Sequence, residues 1–420
     1  KMMKKFLSVV LTLALMITGL TGCSQTGNNE EVLKVGAVYP MSGSNALLGT
    51  QCMEAVRIAV DMTNENGGVQ DKQVELHEAD APDPTAAATE AGRLVDKEGA
   101  KMIFGSLASG NALAIAQVTD KSGVCLIESG GIADSLTDSG FQYVFRILDK
   151  GGLRGAVGVD YIADEIAPAL GIAKKDLKIA IVHEDSSYGE SVANGAEQEI
   201  EKQGMQLVAR EHYSTTVTDM SAMVLNIKKT QPDVLLTVNY INDAILLVDT
   251  LKQHKAMPKV FMGCGAGTTD PKFATTVGSD SDGFFCTDMP TNLPIEAFAS
   301  DSALQKTVKE FRERFLAQHK ELNAVPIAAE AAFAGAYTFM NDILSEVDDL
   351  NDPDAIRAAA LNTKLDLTAL GFGWDLHEDG QNYAAAANIN QWQGGKVVTV
   401  APEKLKNGEA INVPLPGASY

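Results

Sequence analysis

Positive charge is scarce in this chain. Lys and Arg number 34 against 55 Asp and Glu, a net charge of −21. So acidic a surface repels phosphate backbones and anionic lipid faces, which argues against nucleic acid or a charged membrane face as partner. Histidine and cysteine are also thin, at 6 and 5 residues. There is no C-x-x-C and no Cys/His cluster, so no zinc site is legible. The chain lacks a G-x-S-x-G elbow, a G-x-x-x-x-G-K-[ST] loop, a G-x-G-x-x-G turn and an H-E-x-x-H pair. Those absences remove the usual routes to an α/β enzyme. No catalytic residue, no metal and no cofactor is expected.

Long apolar runs are missing too, with one exception. "KMMKK" carries Lys1, Lys4 and Lys5, and Phe6–Leu20 follows without a charge. A basic stretch before a short apolar run reads as an export signal. It falls short of the about 20 apolar residues a membrane-spanning helix needs. The exit, Leu20-Thr21-Gly22-Cys23, resembles the bacterial lipobox. That resemblance implies a signal peptide over 1–22, cleavage before Cys23 and a lipid on its sulfur. Residues 23–31 then read as a polar tether. Losing Lys1, Lys4 and Lys5 takes the net charge from −21 to −24. The expected location is outside the cytoplasm, with a water-soluble body held to the bacterial cell membrane by its lipid alone.

Past Cys23 the cysteines are Cys52, Cys125, Cys264 and Cys286. A Cys264–Cys286 disulfide would close a short loop, and buried free thiols are an equally open reading.

Strand and helix patterns alternate after the tether. "VLKVGAVYP", "KQVELHEAD", "AKMIFG" and "VCLIESGG" read as strands. Between them, "NALLGTQCMEAVRIAVDMTNENGG" places Ala55, Ile58, Ala59 and Met62 on one helical face. "DPTAAATEAGRLVDKEG" offers Asp83 as N-cap, Pro84 at the first position and Gly99 as stop. The alternation restarts at Leu177 with "LKIAIVHEDSSYG" and continues through "MQLVAREHY", "DVLLTVNY" and "KVFMGCG". Helices are expected at 302–319 and near 326–346, and an antiparallel strand pair near 384–400. Two βαβ series in one chain predict an α/β protein of two lobes, each with a mostly parallel sheet. The strand exits "YPMSGSN", "FGSLASGN", "ESGGIAD", "VHEDSSYG", "VNYINDA" and "MGCGAGTTD" are small, polar or glycine-rich. Ligands bind beyond the carboxyl ends of such strands, where helix N-termini present free N–H groups.

Those segments, with "YVFRI" and "GFGWDLHEDG", resemble the type I periplasmic binding proteins of the branched-chain amino-acid type, over roughly residues 32–400. The resemblance implies two Rossmann-like lobes joined by three crossover strands, with a ligand cleft between them. It implies crossovers near 146–150, 265–285 and 380–390. The N-terminal lobe would then take 32–147 and 268–384, the C-terminal lobe 148–267 and 385–400, leaving 401–420 as a tail. The function implied is the extracytoplasmic solute-binding subunit of an ABC importer. Its partners would be a small amino-acid-like ligand and the transporter's permease subunits, and the protein would act as a monomer.

The family's ligand contacts carry over residue by residue. Ser109 matches a serine that binds the ligand carboxylate, and Leu107 offers backbone beside it. Gly130 and Gly131 match backbone contacts to the ligand's carboxylate and ammonium. Tyr188 matches an aromatic wall, and Asp243 the acid that pairs with an α-ammonium. Three positions depart from the pattern. Ile132 stands where a threonine is frequent, Leu48 where an aromatic is, and Glu128 where a small residue is. These changes imply a thinner carboxylate grip and a ligand other than a standard branched-chain amino acid. Another amino acid, a small organic acid or an amide fits, and the added acid favours a positive group.

Arg146 reads as a structural ion-pair arginine at the first crossover. His183-Glu184-Asp185 reads as an acidic turn with a bystander histidine, because three consecutive side chains cannot converge on one point. A ligand-sensing receptor of the same fold, or an α/β enzyme, remains an alternative.

Overall fold

The computed structural model describes residues 32–420; the export signal, Cys23 and the tether fall outside them. The first sheet holds β1 (Leu33–Tyr39), β2 (Val74–Asp80), β3 (Met102–Gly105), β4 (Cys125–Glu128) and β5 (Val144–Arg146). Their order is β2-β1-β3-β4-β5, and every pairing is parallel. β3 and β4 are buried along their whole length. Apart from Glu128 at the end of β4 they read as apolar runs, because helices cover both faces of a parallel sheet. The covering helices are α1 (Ala46–Glu65), α2 (Pro84–Arg93) and α3 (Ser109–Lys121). Asp83 caps α2 by accepting from the Ala86 N–H at 2.9 Å, with Pro84 at the first turn.

The chain then crosses into α4 (Gly151–Tyr161) and the second sheet. This sheet contains β6 (Lys178–Glu184), β7 (Gln206–Tyr213), β8 (Val234–Val238), β9 (Val260–Cys264) and β10 (Phe285–Asp288). The helices α5 (Ser187–Gln203), α6 (Ser221–Thr230) and α7 (Ile241–Gln253) connect them. The chain returns through α8 (Ser302–Gln318), α9 (Ile327–Thr338) and α10 (Pro353–Asn362), then a short pair, β11 (Lys364–Leu365) and β12 (Trp374–Asp375). It ends on β13 (Asn388–Gln393) and β14 (Lys396–Ala401). The second sheet's order is β14-β13-β10-β9-β8-β6-β7, antiparallel only where β13 meets β10 and β14.

α9 is apolar nearly all round and packs between α1 and the first sheet. Such a helix belongs in an interior. Its one acid, Glu330, is paired with Arg312 of α8 at 2.8 Å.

Three expectations change here, and the state of the cysteines, left open by the sequence, is decided. β10 hydrogen-bonds within the second sheet, so the stretch from 268 to Asp288 belongs with the C-terminal lobe's sheet rather than with the N-terminal lobe. Residues 401–420 are no free tail: the Leu415 and Ser419 N–H groups donate to Lys259 O at 2.8 Å and Met257 O at 2.9 Å. The four described cysteines are free and buried. Cys286 sits opposite Gly263 in the parallel register, one residue off Cys264, so the two thiols point to opposite sheet faces. Arg146 bonds neutral partners instead of forming a close ion pair: Gln381 Oε1 at 2.7 Å, Ala133 O at 2.6 Å and Thr137 Oγ1 at 2.8 Å. With Arg146 N donating to Gly380 O at 2.8 Å, the arginine ties the first crossover to the third.

Candidate functional site

The carboxyl ends of both sheets converge on one cavity. From the first lobe come Leu107 after β3, Ser129, Gly130 and Ile132 after β4, and Leu148 after β5. The second lobe supplies Arg154 of α4, Tyr188 of α5, Asn239 and Tyr240 after β8, and Asp288 and Met289 at β10. The cavity measures about 40 Å³, room for a few water molecules. Bonds between the lobes flank it. Asn242 Nδ2 donates to Ser44 O at 3.2 Å, and the Asp134 N–H donates to Ser191 Oγ at 3.0 Å.

The first-lobe wall is backbone. Leu107 has φ +79, a strained conformation that brings its main chain close to Gly130. A Cβ on Gly130 would sit 2.4 Å from Leu107 Cα, so only glycine fits there. The Gly130 and Gly131 N–H groups form a nest suited to an anion. They are already engaged: both donate to Glu128 Oε1, at 2.7 and 2.6 Å. Glu128 is fully buried, and burial raises its pKa against the pull of those amides.

The second-lobe wall is aromatic and ionic. Tyr188 and Tyr240 rings lie 5.4 Å apart at 53°. The Tyr188 hydroxyl donates to Cys264 O at 2.6 Å, and burial pushes its pKa well up. Arg154 is 3% exposed and gripped by two carboxylates. Its Nε donates to Asp149 at 3.0 Å, its Nη1 to Asp288 at 2.6 Å, and its Nη2 to Asp149 again. Burial opposes the Arg154 charge, but Asp149 and Asp288 outweigh it and raise the pKa. Asn239 is fully buried, and its Oδ1 has no hydrogen-bond partner among the described residues. Its Nδ2 donates to the Tyr213 hydroxyl at 2.5 Å, whose own proton goes to Asp243 Oδ2. That chain of donors fixes the amide's orientation.

Leu107, Gly130, Ile132 and Tyr188 thus face the cavity, and Gly131 lies one residue away with its amide spent on Glu128. Three expected residues are placed otherwise. Ser109 Oγ accepts from the Ala133 N–H at 3.1 Å and braces the β4 loop. Leu48 is 1% exposed, a core residue of α1. Asp243 accepts from the Tyr240 N–H at 3.2 Å and from Tyr213, capping its own helix beside a separate hollow with Ser44 and Asn242. Asp243 is thus not among the residues that line the first cavity, and its Oδ2 is engaged by Tyr240 and Tyr213. Glu184 similarly serves its own turn, accepting from the Ser186 and Gly189 N–H groups at 2.7 and 2.6 Å. His183 points away into Arg210 at 3.3 Å.

Arg154, Asp288, Asn239, Tyr240 and Met289 were missed. Asn239 and Tyr240 stand in the quoted strand exit "VNYINDA", where polarity was the available signal. Arg154 gave none, because it sits mid-helix after a crossover.

The sequence profile of the periplasmic binding protein family matches residues 32–396. This chain belongs to that family. It is a type I periplasmic binding protein of the branched-chain amino-acid type, and a binding protein rather than an enzyme. It is 33% identical over 399 residues to Leu/Ile/Val-binding protein homolog 7 of Brucella suis biovar 1 (strain 1330), covering 94% of this chain and 96% of that one. It is 34% identical over 378 residues to homolog 8 of Brucella abortus (strain 2308), covering 88% and 91%. Among solved structures, a leucine-binding protein LivK from Thermotoga maritima superposes with TM-score 0.76 at 20% identity, over 88% of this binding protein and 98% of that chain. A solute-binding protein of Rhodopseudomonas palustris (R. palustris) in complex with benzoate gives 0.74 at 19% identity, over 91% and 100%. The family places this binding protein outside the cytoplasm, and among the described residues no helix is long and apolar enough to cross a membrane.

Proposed function

We propose that this chain is the solute-capturing lipoprotein of an ABC importer. It takes a small solute of the amino-acid class, an amino acid or a related organic acid or amide, between its lobes. The observation that carries the reading is a cavity built from the carboxyl ends of both sheets, with walls from both lobes. Leu107, Gly130 and Ile132 hold one side of the solute; Tyr188, Asn239 and Tyr240 hold the other. Ser109 and Gly131 support the first wall from behind. The lobes divide at crossovers near 147–150, 289–300 and 376–387. Binding shifts a population from open to closed, and the closed form docks on the permease. Lipid on Cys23 keeps the protein beside that permease.

A thermal-shift screen of amino acids, small carboxylates, amides and amines tests this. A hit should raise the melting temperature, lose its effect in Tyr240→Ala, and be returned unchanged after incubation. Product formation, or a hit indifferent to Tyr240→Ala, contradicts the reading.

A further inference from the structure

The sites in the cavity suited to an anion are already occupied by the protein's own groups. The anion nest of the β4 loop is filled from within, since Glu128 Oε1 takes both the Gly130 and Gly131 amides. Among the described residues that line the cavity, Arg154 is the one cation, and Asp149 and Asp288 already hold it through Nε, Nη1 and Nη2. Two carboxylates on one guanidinium leave a net negative wall. A ligand carboxylate would find the Gly130 and Gly131 amides taken and Arg154 already paired with two carboxylates, and burying an unpaired charge is strongly unfavourable.

What the wall does offer is a place for a donor. Asn239 Oδ1 is a fully buried acceptor with no partner among the described residues, and its orientation is fixed through Tyr213. Tyr188 and Tyr240, whose rings lie 5.4 Å apart, line the same cavity. An orphan carbonyl, two aromatic rings and surplus negative charge together suit an N–H-bearing cation. A neutral alcohol would leave the negative wall unanswered.

We propose that the solute is a small organic cation: an amine on an apolar or aromatic body, with no free carboxylate. Glu128 stands where the ligand's carboxylate would otherwise bind. Asn239 Oδ1 accepts from the ammonium, and the Tyr188 and Tyr240 rings flank it. The proposal rests on the cleft reading above and replaces its amino acid, organic acid or amide with an amine.

Matched triplets test it by thermal shift and titration calorimetry. Each holds an acid, its amide and its amine on one carbon body: leucine, leucinamide and 3-methylbutylamine; benzoate, benzamide and benzylamine. The amine should bind the wild-type protein more tightly than the acid by at least about tenfold, the cost of one unanswered buried group. Glu128→Ala frees the Gly130 and Gly131 amides, so the acid should gain affinity on that variant. An acid that binds the wild type best overturns the proposal, and so does an amide that outbinds its amine. If no triplet member binds, the solute class proposed is wrong. A library of sugars, nucleosides and polyols then decides the cleft reading separately. A hit abolished by Tyr240→Ala leaves the cleft standing, and the lack of any such hit removes it too.

Discussion

Asp243 shows how one side chain is spoken for by its own helix. It sits in the first turn of α7, where a carboxylate is favoured by the helix dipole. Its Oδ2 accepts from the Tyr240 N–H and the Tyr213 hydroxyl. Burial pushes its pKa up to about 6, against the pull of those hydrogen bonds. An acid whose pKa is higher folded than unfolded binds more protons in the native state. Its contribution is therefore greatest below the unfolded value and is lost as pH rises through about 6. Asp243→Asn removes that titration. In urea unfolding, the stability of wild type relative to Asp243→Asn should fall between pH 4 and pH 6 and level off above. A gap that stays constant would show an unshifted carboxyl, and one that widens would show a carboxylate stabilised as the anion; either contradicts this. The sequence made Asp243 look available because its neighbours in space, Tyr213 above all, lie on another strand. Glu128 was more legible. An acid at a strand exit was visible as a departure from the family pattern, and the structure adds what it holds.

At the scale of elements, α4 and α5 set the second wall. They carry Arg154 and Tyr188, and they touch through glycine. A Cβ on Gly155 would lie 2.2 Å from Val192 O, and one on Gly195 would lie 2.1 Å from Gly152 O. Backbone cannot yield as a flexible side chain can, so the helices must separate. Gly195→Ala should therefore cost about 1–3 kcal/mol in chemical denaturation, and it should weaken solute binding by displacing both wall residues. A variant as stable as wild type would mean the contact relaxes cheaply. This same contact explains why α4 escaped the periodicity reading. "GGLRGAVGVDY" has poor helix propensity, and only its fit against α5 makes it a helix. By contrast, β1 to β4 and β6 to β9 were readable, since β-branched runs bounded by glycine and polar turns are local signals. β10 was misplaced because lobe membership depends on pairing with β9 and β13, which "FFCTD" does not encode. The family resemblance supplied the two-lobe plan, while the cavity's ionic wall came from contacts between residues far apart in sequence, such as Arg154 with Asp288.

For the whole molecule, the account turns on two half-sites that act together. Arg146 and Gln381 bond to each other between the lobes' connecting segments, and Asn242 and Ser191 bond across to the first lobe. A solute that touches both walls stabilises this arrangement by its preference for it. Hydrogen–deuterium exchange, measured with and without a solute that raises the melting temperature, tests this most directly. The account predicts slower exchange at 105–110 and 129–132 in one lobe together with 239–242 and 264–268 in the other. Protection in one lobe alone, or on a surface away from these loops, would contradict it.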